Sequence, residues 1–256
     1  MIDSSAIIHP SAKIADNVTI GPWTLIGKNV EIGEGTWIGS HVVINGPCKI
    51  GKNNKIFQFS SIGDAPQDLT YAGEDTLLEI GDNNTIREYC MINRGSIKGG
   101  GITRIGHNNF IMGYVHIGHD CHIGNHCIFV NYSGLAGHVV VHDHAILGAY
   151  SAVHQFCTIG QHAFVAKATY VSQDVLPYIL IDGNSPTVKG INTVGLRRRG
   201  FSSEAIQGLK RAYKIIFRKS LTIKQSIEAL TPLQEELPEV KLFIDALKTV
   251  KRGMVR

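Results

Sequence analysis

The chain has 256 residues, 43% hydrophobic and 18% charged, with 25 Lys and Arg against 21 Asp and Glu. That length and apolar share suffice for a sizeable core, yet no apolar stretch is long enough to span a bilayer as a helix. The net charge of +4 conceals an asymmetry: 14 basic and 6 acidic residues fall between Arg197 and Arg256, leaving 11 and 15 in the first 196 positions.

From Ile2 an isoleucine recurs at every sixth position through Ile8, Ile14, Ile20, Ile26, Ile32, Ile38, Ile44, Ile50, Ile56 and Ile62. A short block follows at Ile80, Ile86 and Ile92. A third runs Ile105, Ile111, Ile117, Ile123, Phe129, Leu135, Val141, Leu147, Val153, Ile159, Val165 and Val171. A period of six is neither the 3.6 of a helix nor the 2 of a strand. It predicts a hexapeptide β-solenoid, each unit giving one short strand and one corner. Two positions before the repeated residue sits a small one, such as Val18, Thr24, Val30, Thr36, Val42, Cys48, Val115 or Ser133, expected to share the inward face. Three positions after it come Asn17, Asn29, Gly35, Asn53, Asn83, Asn108 and Asp120, types that tolerate a left-handed corner. Three units would close a triangular coil of 18 residues, with coils stacked at about 4.8 Å.

Two interruptions break the pattern. Asp68 and Glu74 occupy inward positions between Ile62 and Ile80 and cannot fill an apolar interior cheaply, so 63–78 reads as an excursion from the wall. The spacing from Ile92 to Ile105 is one residue too long and holds Gly95, Gly99, Gly100 and Gly101, a second excursion over 93–104. The repeat fades after Val171, and Pro177, Gly183, Pro186 and Gly190 punctuate a connecting segment. From Ser202 the spacing of Ile206, Leu209, Tyr213, Ile216 and Phe217 predicts a serine-capped helix. Ile223, Ile227 and Leu230 suggest a second helix, and Pro238 begins a third with Val240, Phe243, Ile244 and Leu247. The expected architecture is a mainly β solenoid over 1–190 and a C-terminal α-helical domain over 191–256. Its basic character fits docking of an acidic partner or simply a solvated helical surface. No recognised nucleic-acid-binding motif accompanies the charge.

All five cysteines, Cys48, Cys90, Cys121, Cys127 and Cys157, take the small inward position, which makes them wall-fillers rather than disulfide or catalytic residues. Unpaired thiols and a start without a basic segment and apolar run predict a cytoplasmic protein. All 12 histidines precede residue 163. His126, His144 and His162 sit at corner positions and read as turn residues; His122 points outward beside a repeated isoleucine and reads as surface. His119 differs. Residues 18 apart lie above one another, so His119 aligns with Gly137 and Gln155, and Asp120 with His138. That corner suits proton abstraction. His119 would be the base, Asp120 or a backbone group would fix its tautomer, and the unobstructed Gly137 amide would face an oxyanion.

The hexapeptide array, the loop Gln67-Asp68-Leu69-Thr70-Tyr71-Ala72-Gly73-Glu74, and the runs His116-Ile117-Gly118-His119-Asp120-Cys121, Leu135-Ala136-Gly137-His138 and Ala152-Val153-His154-Gln155-Phe156-Cys157 resemble the UDP-N-acetylglucosamine acyltransferases that begin lipid A biosynthesis. Asp174-Val175-Leu176-Pro177-Tyr178 and Leu196-Arg197-Arg198-Arg199-Gly200-Phe201 carry the resemblance through nearly the whole chain. It implies a left-handed parallel β-helix, an exception to right-handed crossovers. It also implies a homotrimer with sites between subunits, and transfer of a 3-hydroxyacyl group from acyl carrier protein to the glucosamine 3-hydroxyl, with no metal or other cofactor. His119 would take the hydroxyl proton, Asp120 would orient it, and Gly137 would hold the oxyanion. Asp68, His116, His138, His154 and Gln155 match positions that bind the sugar or acyl chain. Asn192, Arg198 and Arg199 match positions near the nucleotide phosphates, where arginine forks suit phosphate oxygens. Acyl carrier protein, being acidic, would suit the basic helical end.

Several positions depart from that family's pattern. Thr70 replaces a lysine, Asn93 and Ser185 replace histidines, and Val194 replaces a glutamate, which leaves a 3-amino sugar open as the acceptor. Lys167 stands where relatives carry glycine and where side-chain size gauges acyl length. It would close the groove to long chains unless it snorkels outward. Two other classes compete. A zinc carbonic anhydrase of solenoid type needs three converging imidazoles and would lose activity to chelators. A non-catalytic solenoid would tolerate His119→Ala.

Overall fold

The computed structural model describes residues 1–256 and shows parallel strands of two to four residues wound into a left-handed β-helix. Three sheets of nine, eight and ten strands form the sides of a prism. Ile20 pairs with Ile38 and Ile38 with Ile56, one coil on each time, and the same ladder continues through Phe129 and Leu147 to Val165. The repeated residues from Ile20 to Val171 are buried, and so are the small ones two positions earlier. Full burial of each side chain is worth about 1.5–3 kcal/mol, so stability accumulates coil by coil. The cysteines do fill the wall, and burial pushes the Cys48, Cys90, Cys121 and Cys127 thiols up to about 12.

Asparagines also occupy the inward position, which the pattern of small residues did not disclose. Asn54 donates from Nδ2 to the Gly81 carbonyl (2.9 Å), Asn84 to Gly106 (2.9 Å) and Asn109 to Gly124 (3.0 Å). Each side-chain oxygen accepts a backbone N–H from the next coil, so a buried ladder satisfies itself. The corners hold a second surprise. Asn17, Asn29, Asn53, Asn83, Asn108 and Asp120 have positive φ as expected, but so do Phe59, Tyr89, Tyr114, Tyr132 and Tyr150. Those five rings stack in one exposed column at 4.7–5.1 Å. His126, His144, His162 and Tyr178 stack along another corner. Ring stacking between coils offsets the cost of a left-handed bulky residue.

Two excursions leave the wall, both shorter than the 63–78 and 93–104 spans read from the sequence. Strand Ser61–Asp64 runs on past Gly63, and strand Leu77–Ile80 resumes before Leu78, so the first covers 65–76. The second lies between strands Met91–Asn93 and Ile102–Ile105 and contains one 3₁₀ turn, Ile97–Gly99. The punctuated segment after Val171 is not merely a connection. Strands Ile179–Asp182 and Thr187–Ile191 form an antiparallel hairpin on the end of the ten-stranded sheet. A short helix that the periodicity did not predict follows, α1 (Thr193–Arg198), capped by Asn192. Then come α2 (Ser203–Arg218), capped by Ser202, α3 (Ile223–Glu236), with a Thr222/Gln225 capping box, and α4 (Lys241–Thr249) after a Pro238 turn. The last residues return to the solenoid: Asp174 pairs with Met254 and accepts the Thr158, Lys251 and Arg252 amides. No helix is long and apolar enough to cross a membrane.

Candidate active site

One corner of the prism carries Asp120, His138 and Phe156 on successive coils, each at a left-handed φ. Immediately before each lie His119, Gly137 and Gln155. His119 Nδ1 is 2.7 Å from Asp120 Oδ2, and the Asp120 side chain is 1% exposed against 16% for His119. A buried carboxylate on Nδ1 selects the tautomer that is protonated there, which leaves Nε2 with its lone pair as the proton acceptor. Nε2 lies over the next coil's backbone: a Cβ on Gly137 would sit 2.6 Å from His119 Cε1 and 2.7 Å from Nε2. Only a residue without Cβ lets the ring stand there. Gly137 lies between two short strands and its N–H meets no backbone or side-chain acceptor. Base and free amide therefore lie side by side on adjacent coils.

Asp120 is held from the second excursion. The Ser96 amide donates to Oδ1 (2.9 Å) and the Ser96 hydroxyl to Oδ2 (2.6 Å), while the Asp120 amide donates to Thr103 Oγ1 (2.8 Å). Gly99 lies so close to the Asp120 carboxylate that a Cβ there would collide with it. Ser96, Gly99 and Thr103 are thus part of the site. The 18-residue stacking rule could not find Ser96 and Gly99, because the excursion is out of register; only the glycine run over 99–101 hinted at a close approach, whereas Thr103 lies in the next strand, in register below Cys121.

His138 Nε2 is 3.9 Å from Asp120 Oδ2, and its ring meets His119 edge-on at 5.1 Å while stacking on Phe156 at 4.4 Å. Burial lowers the His138 pKa, with His119 adding to the fall and Asp120 opposing it. His116 is lowered by burial and by His119, and its Nδ1 has no partner. Both imidazoles are thereby biased toward the neutral form and serve as hydrogen-bonding surfaces. Asp68, on the first excursion, accepts from the Thr70 amide (2.8 Å) and hydroxyl (2.9 Å). Those bonds hold its pKa down, with Lys98 and His119 adding to the effect. Arg94 ties the two excursions together, donating to the Gly63 carbonyl and the Tyr71 hydroxyl, both at 2.9 Å. Asn93 donates to Ala65 (2.8 Å).

One chain therefore gathers His119, Asp120, Gly137, His138, His116 and Asp68. His154 and Gln155 lie one coil further along the same face, with His154 Nδ1 3.3 Å from Arg252. Asn192, Arg198 and Arg199 do not join them. Asn192 caps α1 and donates to the His162 carbonyl, and Arg199 donates to the His144 carbonyl (2.9 Å), which places them at the stacked-histidine corner. Arg198 lines a cavity of about 300 Å³ with Asn192, Val194 and Phe164. Lys167 is exposed next to the left-handed Ala168, one coil beyond Tyr150. His122 is exposed as expected. A concavity of about 970 Å³ beside Lys13, Glu31, Glu79 and Arg104 holds none of the site histidines and lies along another face.

A metal could be considered at His119, Asp120 and His138, whose ligand atoms lie within 4.8 Å of one another. Asp120 Oδ2 already faces the Ser96 hydroxyl and His119 Nδ1, and only two imidazoles converge there rather than three. The arrangement suits proton transfer.

Residues 174–255 match the family described as Udp N-acetylglucosamine O-acyltransferase, domain 2, and residues 29–64 and 102–137 match the bacterial transferase hexapeptide. The acyl-[acyl-carrier-protein]–UDP-N-acetylglucosamine O-acyltransferase of Stutzerimonas stutzeri is 50% identical over 256 residues, covering 100% of this chain and 99% of that one. The Francisella novicida UDP-N-acetylglucosamine acyltransferase structure superposes with a TM-score of 0.97 at 49% identity, over 100% of this chain and 94% of that one. The Moraxella catarrhalis UDP-N-acetylglucosamine O-acyltransferase gives 0.98 at 46% identity, over 100% and 99%.

Proposed function

The chain belongs to the acyl-[acyl-carrier-protein]–UDP-N-acetylglucosamine O-acyltransferase family, and we infer that the His119–Asp120–Gly137 corner is where it performs that transfer. The enzyme moves a 3-hydroxyacyl group from acyl carrier protein to the 3-hydroxyl of UDP-N-acetylglucosamine, the first step of lipid A synthesis. Amide formation on a 3-amino sugar and zinc-dependent hydration are not favoured, because the full-length relatives are O-acyltransferases.

In our reading His119 Nε2 takes the hydroxyl proton as the sugar oxygen attacks the thioester carbonyl. Asp120 stays ionised, accepts a hydrogen bond from Nδ1–H throughout and stabilises the imidazolium. The carbonyl oxygen, now an oxyanion, accepts the Gly137 N–H. The C–S bond then breaks, the departing sulfur takes the proton back from His119, and the ester leaves. The observation that carries the reading is the 2.7 Å His119–Asp120 contact placed directly over a free main-chain amide.

Asp68, His116 and His138 line the approach to His119 and would orient the sugar, while His154 and Gln155 extend the surface along the next coil. Asn192, Arg198 and Arg199 sit at another corner, so their contribution to a nucleotide requires the neighbouring copy of a homotrimer. The same argument applies to Lys167, which would gauge acyl length from a corner away from its own His119. Exposed Arg211, Lys214, Arg218 and Lys219 on and beside α2 offer an acidic carrier a basic surface. The reaction belongs in the cytoplasm, a setting that suits five unpaired buried thiols.

His119→Ala tests the assignment. Steady-state transfer from a 3-hydroxyacyl carrier thioester should fall on the order of 10²–10⁴-fold, with thermal stability retained. Undiminished turnover would remove His119 from the chemistry.

A further inference from the structure

The second excursion does more than brace Asp120. Between Ser96, which donates to the Asp120 carboxylate, and Gly99, which lies against it, stands Lys98 on the 3₁₀ turn. Its Nζ donates to Thr70 Oγ1 at 2.9 Å, and that hydroxyl donates to Asp68 Oδ1 at 2.9 Å. One ammonium thus bridges the two excursions at the mouth of the His119 pocket. Lys98 forms none of the chain's ion pairs, and with one N–H spent on Thr70 it keeps two further donors. Arg94, its nearest counterpart in sequence, spends its guanidinium on Gly63 and the Tyr71 ring. Arg198 and Arg199 belong to a different corner.

A lysine held by its neighbours' backbone geometry, with unspent donors beside the base, is a ready anion receptor. Resting on the acyl-transfer reading, both substrates bring such an anion. The sugar nucleotide carries a diphosphate, and the carrier's pantetheine arm carries a phosphodiester. We propose that Lys98 is a substrate-binding residue that receives a phosphate oxygen at the mouth of the site, with Thr70 as the hydroxyl that aims it. This also accounts for Thr70, the departure that leaves the first excursion without a cation of its own: Nζ arrives at that hydroxyl from the facing excursion. A lysine placed at position 70 would start from the same spot.

The test uses the full-length enzyme with each substrate varied separately. Lys98→Met removes the charge and keeps the stem. It should raise KM about tenfold for one substrate while kcat changes little, a loss typical of one charge-assisted contact. A rise for the sugar nucleotide assigns the diphosphate; a rise for the acyl carrier protein assigns the phosphodiester. The exchange Thr70→Lys with Lys98→Gln should restore the affected KM, which a merely structural role for Lys98 would not allow. Unchanged KM for both substrates in Lys98→Met, or a defect that the exchange fails to repair, overturns the proposal. Parental turnover in the same assay reports separately on the acyl-transfer reading.

Discussion

Gly137→Ala is the sharpest probe of the site, because the structure supplies its magnitude. The new Cβ would lie 2.6 Å from His119 Cε1, 2.7 Å from Nε2 and 3.1 Å from Nδ1. Ordinary contacts need about 3.5 Å or more, so the imidazole must retreat by roughly 1 Å. It cannot retreat freely, since Nδ1 is anchored to a carboxylate that Ser96 clamps from the other side. A shift of about 1 Å from productive geometry costs roughly 10²-fold, and shading an oxyanion donor costs about 10²–10³. The two losses overlap, so kcat should fall on the order of 10²–10³-fold while KM moves far less. Gly137 does not have a positive φ, so alanine fits its backbone and the fold should survive, as a melting curve would verify. Gly134→Ala is the matched control: three positions earlier, its Cβ meets nothing within 4 Å. Initial rates of ester formation, followed by mass spectrometry, compare the two. Parental turnover in Gly137→Ala, or an equal loss in Gly134→Ala, would refute the reasoning.

Asp120→Asn should lower kcat on the order of 10²–10⁴-fold in steady-state transfer assays, because an amide cannot select the His119 tautomer. Ser96→Ala, which retains one of the two Ser96 bonds, should cost less. His162 is buried, and burial, His144 and Arg199 push its pKa down from 6.5 to about 4. Below pH 6.5 the unfolded chain gains a proton that the folded chain refuses. Stability should therefore be full above that value and decline by about 3 kcal/mol as pH approaches 4. His162→Asn should flatten that decline in pH-dependent denaturant melts. Lys167→Gly should lengthen the preferred acyl chain in a ladder of carrier thioesters; an unchanged ranking would sink the gauge.

The coil was legible because one geometric rule, inward every sixth residue, governs most of the chain, and the same rule stacked His119 on Gly137. It failed wherever the chain leaves register. Ser96 meets Asp120, and Lys98 meets Thr70, across excursions whose paths no period describes. The 179–191 hairpin was missed because its strands run antiparallel, so Gly183 and Pro186, which mark its turn, looked like punctuation alone. The tyrosine column escaped notice for a different reason. Bulky rings at left-handed corners defy single-residue preferences, and only stacking with the next coil makes them tolerable. Asn192 and Arg199 show a further limit: their internal bonds to His162 and His144 are visible only in three dimensions.

The covering of the solenoid's last coil bears on end-to-end pairing. A stack of parallel rungs is a template open at both ends, and a second molecule's first rung could in principle extend it without limit. Here the 179–191 hairpin reverses strand direction on one sheet. On a second, Val175 overlies Ile159, and Asp174 is in turn paired with Met254. On those two sheets an incoming strand therefore meets backbone that is antiparallel or already paired. Removing the 251–254 contacts would uncover that seam, so the segment that clasps Asp174 also shields the backbone of the last coil.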